Sequence, residues 1–180
     1  MKFIGITGGV GAGKSTVLAY LKENYKCHIA LADDLAKSLM EPGSICYGAL
    51  VDLLSPYQVF DGAGRIEKES MARLLFSKEE VRAQVKEARN QGRLDYFFFE
   101  AALLLEDHYE EVCDELWYIY ASEDERRMRL KRDRGYTDEK IDQIFASQMP
   151  EKAFRQACAH VIDSSGSMEG TQAQVRQILG

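Results

Sequence analysis

The chain predicts a three-layer α/β fold built on a parallel sheet. Two observations carry this. Short apolar runs alternate with helical patterns in the order β-α-β-α, then β, then β-α-α, then β-α, which buries a parallel sheet between helices. The first apolar run also feeds straight into Gly8-Gly9-Val10-Gly11-Ala12-Gly13-Lys14-Ser15, a glycine-rich turn that opens a helix. At 180 residues the chain is one domain. That length buries roughly 70% of the unfolded surface, so folding requires neither metal nor disulfide.

Lys2–Thr7 is apolar and bounded by glycines, as a short buried strand is. Residues 15–25 read as a helix, with Val17, Leu18, Leu21 and Tyr25 on one face. A second short strand covers 28–32, and a short helix covers 33–40 before Glu41-Pro42-Gly43. Residues 45–90 are mostly helical in pattern, broken at Ser55-Pro56 and at 61–64. Ser77-Lys78-Glu79-Glu80 has capping-box spacing and starts a helix. Residues 95–99 form the most apolar strand, ending at Glu100, and Glu115–Tyr120 form another. Ser122-Glu123-Asp124-Glu125 is a second capping box; its helix runs to about Arg134, before Gly135 as C-cap. Thr137 caps a helix with Ile141, Ile144 and Phe145 on one side. His160–Asp163 is the last strand, and 170–179 a closing helix.

Composition excludes several classes. The net charge of −6 argues against a nucleic-acid binder, so an anionic ligand must be held by local positive groups. No stretch reaches the ~20 apolar residues that span a bilayer. The N-terminal run ends in glycines, unlike a signal peptide. Cys27, Cys46, Cys113 and Cys158 form no CxxC pair and no metal spacing with His28, His108 or His160. They read as free thiols of a cytoplasmic protein.

The glycine-rich segment fits G-x-x-x-x-G-K-[ST], in the strand-to-helix context that the motif needs. Glycines let the backbone turn its N–H groups onto phosphate oxygens, and the helix N-terminus adds positive potential. The expected nucleotide contacts are Gly9, Val10, Gly11, Ala12, Gly13, Lys14, Ser15 and Thr16. Lys14 bridges the β- and γ-phosphates of ATP in this reading, and Ser15 gives an oxygen to Mg²⁺. With Gly near 7% of residues, a chance match in such a chain is roughly a one-in-a-hundred event. No N-K-x-D follows, which argues against a GTPase; Asp61-Gly62-Ala63-Gly64 reads as a turn. The size suits a small kinase.

Asp33 follows the second strand, at the carboxyl end of the sheet where α/β proteins bind ligands. A carboxylate there orients an attacking hydroxyl and takes its proton, although Asp also caps helices. Asp34 reads as a solvated first-turn residue. Glu100 closes the most apolar strand and is a candidate to hold Mg²⁺ or its water; Glu106 is a weaker one. Residues 126–134 carry six positive charges in nine positions. They are spread around the helix, so they cannot all line one site. Mobile helical lids commonly carry arginines toward transferred phosphates. Arg129 with Arg132 or Arg134 is the expected pair, with ion pairs to the preceding acids occupying the others.

Taken together, the phosphate loop from Ile4 to Thr16, Ala32-Asp33-Asp34-Leu35-Ala36-Lys37, Glu41-Pro42-Gly43 and Asp61-Gly62 with Ile66-Glu67 resemble the dephospho-coenzyme A kinases. So do Leu103-Leu104-Leu105-Glu106, the arginine-rich helix, Gln148, and Val161-Ile162-Asp163 with Gly166. The resemblance covers the whole chain. It implies a P-loop NTPase core with a five-stranded parallel sheet in a single domain, 1–180. It also implies a helical coenzyme A-binding insertion at about 45–93 and a helical lid at about 122–148. The implied reaction moves the γ-phosphoryl group of MgATP to the 3′-hydroxyl of dephospho-CoA, with Asp33 as base. ATP and dephospho-CoA are the implied partners, with no nucleic acid or membrane, in a monomer or weak oligomer. The implied adenine-side loop falls at 164–166.

The departures are specific. Leu31-Ala32-Asp33 stands where the family reads Asp-Ala-Asp, Ala102-Leu103-Leu104 where it reads Pro-Leu-Leu, and Ser164 where it has Asn. A His-Pro pair of the helical insertion is absent, and the chain is shorter there. Two other readings stay open: a kinase of another nucleoside or nucleotide, and a nucleotide-binding module without strong catalysis.

Overall fold

The computed structural model of the chain describes residues 1–31, 78–101 and 104–180. Its elements are β1 (Lys2–Thr7), α1 (Lys14–Asn24), β2 (Cys27–Leu31), α2 (Lys78–Gln91) and β3 (Tyr96–Glu100). A 3₁₀ turn (Tyr109–Glu111) leads to β4 (Glu115–Tyr120). Then come α3 (Glu123–Arg134), α4 (Asp138–Ser147), α5 (Glu151–Ala157), β5 (His160–Asp163) and α6 (Met168–Leu179). The expected short helix at 33–40, the Ser77 cap, Glu41-Pro42-Gly43, Asp61-Gly62 and the greater part of the 45–93 insertion lie outside the described residues.

All five strands are parallel, in the order β2-β3-β1-β4-β5. The three-layer expectation holds. The chain leaves β1 toward the β2 edge and leaves β4 toward the β5 edge. A crevice therefore opens at the carboxyl ends of β1 and β4, where α/β sheets bind ligands.

The alternation of side chains along the strands sorts two cores. Phe3, Phe97, Phe99, Leu116 and Tyr118 point to one face, where Val81 and Val85 of α2 and Phe154 of α5 cover them. Ile4, Ile6, Phe98, Trp117, Ile119 and Ile162 point to the other, under Val17, Leu18 and Leu21 of α1 and Val175 of α6. Trp117 is fully buried there, and its indole N–H donates to Glu115 Oε1 at 2.8 Å.

The predicted strands all form, and the helix boundaries shift by a residue or two. α6 starts at Met168 because Ser167 Oγ accepts the Gly170 N–H. The 3₁₀ turn at Tyr109–Glu111 and helix α5 were not foreseen; α5 is seven residues behind Pro150 with no side-chain cap. Tertiary contact makes it: the Phe154 ring stacks on Tyr118 with centroids 4.8 Å apart, and Arg155 lies over Tyr120.

Candidate active site

The phosphate loop begins where β1 ends. Gly8 crosses so close to β4 that a Cβ would press into the Ile119 carbonyl oxygen. Gly11 and Gly13 have φ of 82° and 83°, in the left-handed region that only glycine enters freely. Gly13 then starts α1.

What fixes this loop is the fate of its carbonyls. Lys14 Nζ donates to Gly8 O at 2.8 Å, and the Ala12 N–H donates to Gly9 O at 3.1 Å. Arg126 Nε donates to Val10 O at 2.9 Å, and Arg129 Nη1 to Gly11 O at 3.4 Å. Ser164 Oγ donates to Ala12 O at 2.5 Å, and the Thr16 N–H to Gly13 O at 3.1 Å. Six successive carbonyls thus have donors. The first N–H groups of α1 have no intrahelical acceptor, so the loop presents donors to an anion.

Glu100 ends β3 in register with Ile6 of β1, which sets its carboxylate beside the loop. Glu100 Oε1 stands 3.6 Å from Lys14 Nζ. Burial pushes the Lys14 ammonium below the ordinary lysine range, and Glu100 partly restores it. Both residues line the main cavity together with Gly9 through Thr16, Arg129, Arg132, Arg134, Ser164 and Gly166. The loop, Glu100 and the arginine helix therefore line one cavity.

The arginines divide by partner. Arg129 Nε donates to Glu125 Oε1 at 2.9 Å, and its Nη2 donates to Ser164 O at 2.6 Å. It joins α3 to the loop after β5. Arg127 pairs with Glu123, Asp138 and Asp142, tying α3 to α4 on the outer surface. Arg132 pairs with its neighbour Asp133. Arg134 lines the cavity, and its positive charge is felt at Lys14.

Arg126 was not singled out in the sequence. Its guanidinium lies against Gly9 and Val10, donates to Gln148 Oε1, and sits 4.3 Å from the Phe145 ring centre. Ser164 is expected only as a departure from the family and as part of the implied adenine-side loop at 164–166. Here it is buried and ties Ala12 and Tyr120 of two elements together. Asp33 and Asp34 lie outside the described residues; β2 delivers the chain to them from Leu31, in register with Glu100. Glu106 is exposed. Burial pushes the thiols of Cys113 and Cys158 up to about 12, which leaves both as unreactive apolar groups.

A protein-family model described as Dephospho-CoA kinase matches residues 2–170. A dephospho-CoA kinase of Streptococcus mutans is 32% identical, over 97% of this chain and 94% of its own length. One of Carboxydothermus hydrogenoformans is 30% identical, over 99% of this chain and 93% of its own. Among solved structures, TT1252 from Thermus thermophilus superposes with a TM-score of 0.69 at 28% identity, covering 99% of this chain and 96% of that one. A shikimate kinase from Acinetobacter baumannii shares the fold, with a TM-score of 0.57 at 13% identity, over 99% and 93% of the two chains.

Proposed function

The chain belongs to the dephospho-CoA kinase family, and from that premise we propose how its own residues carry the ATP-dependent phosphorylation of dephospho-CoA. The observation that carries the reading is the phosphate loop with its carbonyls engaged, facing Lys14, Glu100 and Arg134 across one cavity.

Residues 9–16 hold the ATP phosphates, with Lys14 at the β,γ-bridge. Asp33 orients the 3′-hydroxyl of the acceptor ribose. That oxygen bonds to the γ-phosphorus while the bond to the β,γ-bridging oxygen breaks. ADP leaves, and the hydroxyl proton passes to Asp33. Arg134 neutralises charge on the moving phosphoryl group, while Arg129 acts from its anchored place between the loop and Ser164. The rate comes from positioning and charge neutralisation.

The residues fit Mg²⁺. Ser15 and Glu100 line the same cavity. Among the described residues no cluster of three or more acids, histidines or cysteines forms. A cation held by phosphate oxygens, water and one or two protein oxygens suits Mg²⁺. When bound, the ion neutralises phosphate charge. Residues at about 45–93 form the proposed acceptor-binding part and about 122–148 the lid. The proposed setting is the cytoplasm, as a monomer or weak oligomer without nucleic acid or membrane partners. The net charge of −6 supports the exclusion of nucleic acid.

The test is ADP release from MgATP with dephospho-CoA, AMP or adenosine as separate acceptors. Release with dephospho-CoA alone is expected. Release with AMP or adenosine instead moves the chain to the nucleotide kinases. Lys14→Ala is expected to abolish turnover. Asp33→Asn is expected to cut it at least a hundredfold, on the order of a lost general base, with ATP binding kept. A fully active Asp33→Asn would remove the base assignment.

A further inference from the structure

We propose that Arg126 is a positioning residue of the ATP site: it holds the Val10 peptide of the phosphate loop and couples it, through Gln148 and Phe145, to helix α4. The proposal rests on reading this loop as the ATP site.

Three observations point the same way. The Arg126 guanidinium makes contacts on two sides at once, with Nε on Val10 O at 2.9 Å and Nη2 on Gln148 Oε1. Gln148 is the C-cap of α4, and Phe145, whose ring faces the guanidinium, lies in that helix's last turn. A displacement of α4 therefore reaches the Val10 peptide through a single side chain.

The second observation is Gly9. It occupies a position that the loop motif leaves open to any residue. Its φ lies outside the left-handed region, so its backbone does not call for glycine. The constraint is spatial: a Cβ at Gly9 would stand 2.6 Å from Arg126 Cζ and Nη2, and 2.9 Å from Gln148 Oε1, so both side-chain ends would have to move off the loop. Glycine at this position makes room for the guanidinium.

Third, Arg126 is half-buried, and burial pulls its pKa down. Among the described residues it has no carboxylate at ion-pair distance. Its bonded partners are a peptide carbonyl and a side-chain amide, beside an aromatic face. Its charge is thus left beside the loop and adds to the potential that draws polyphosphate. By bonding Val10 O, it also keeps the Val10–Gly11 peptide turned with its N–H side away from the guanidinium.

The test pairs Arg126→Ala with Gly9→Ala, singly and together. ATP affinity is read by calorimetry, and KM and kcat by turnover. Arg126→Ala is expected to weaken ATP about tenfold, the scale of one charge-assisted hydrogen bond, and to raise KM for ATP in step. Its kcat at saturation stays within about threefold. Gly9→Ala is expected to cause a similar loss in the wild-type background and no further loss in Arg126→Ala. Arg126→Lys recovers part of the affinity, and Gln148→Ala loses several-fold. These last two carry the test if the alanine variant fails to fold.

Unchanged ATP affinity in Arg126→Ala overturns the proposal. So do losses that multiply in the double variant, because independent effects mean that Gly9 does not make room for Arg126. A fall in kcat with KM unchanged overturns it as well, by placing Arg126 on the transition state. A wild-type protein that binds no ATP sinks the nucleotide-site reading itself, which is a distinct result.

Discussion

Lys14 is pulled in two directions. Burial disfavours its charge, and Glu100 at 3.6 Å favours it. The sign of a test follows. In Glu100→Gln the favourable partner is gone, so the Lys14 pKa falls further and the ammonium is lost at lower pH. The alkaline limb of kcat/KM for ATP is expected to move to lower pH, measured across a pH series at constant ionic strength. An alkaline limb that stays in place shows that Glu100 does not govern the Lys14 charge. Lys14, Ser15 and Glu100 were legible because motif spacing and strand ends are local facts of the chain. Arg126 was not: among six cations in nine residues the expectation falls on Arg129 with Arg132 or Arg134, and nothing local marks Arg126. The signal existed at the other end of the contact: a glycine at Gly9 where the motif asks for none. The ties that Ser164 makes were not legible, since its three connections come from segments far apart in sequence.

At the scale of elements, α3 is the part to probe. Ser122 Oγ accepts the Glu125 N–H at 3.3 Å, one half of the capping box read from the sequence. Glu125 does not return its side chain to Ser122 but pairs with Arg129 at 2.9 Å, one turn on. The cap thus serves the arginine that reaches the loop. Ser122→Ala is expected to destabilise the fold by about 1 kcal/mol, seen as a lower urea midpoint with an unchanged slope. Because α3 carries Arg126 and Arg129, KM for ATP should rise as well; a rise in KM without lost stability would separate the two effects. Helices with caps were legible from sequence. Helix α5 was not: its seven residues have no side-chain cap and owe their shape to Tyr118 and Tyr120 beneath them. Patterns of one helix cannot announce a partner on another strand.

For the whole molecule, the sheet order places the glycine-rich loop, the proposed ATP site, at the central strand with partners on both sides. Ligand binding at such a centre should report on global stability. At ATP a hundredfold above Kd, linkage adds about 2.7 kcal/mol. For a chain of this size that is a rise in Tm of about 5–10 °C, read by thermal melting. Lys14→Ala should lose the rise, and a wild-type Tm indifferent to MgATP would contradict a nucleotide site bonded to so many elements. The parallel sheet and its helical layers were legible from the alternation of patterns, whereas the strand order was not, since pairing of distant strands leaves no local trace. That order has a consequence for synthesis on the ribosome. β1 emerges before both of its neighbours, β3 and β4, which come much later in the chain. Three of the loop's six carbonyls wait for residues that come later still: Arg126 and Arg129, and finally Ser164. The pocket around the loop is therefore completed long after its motif has been translated. A chain stalled before β5 carries the motif without the pocket.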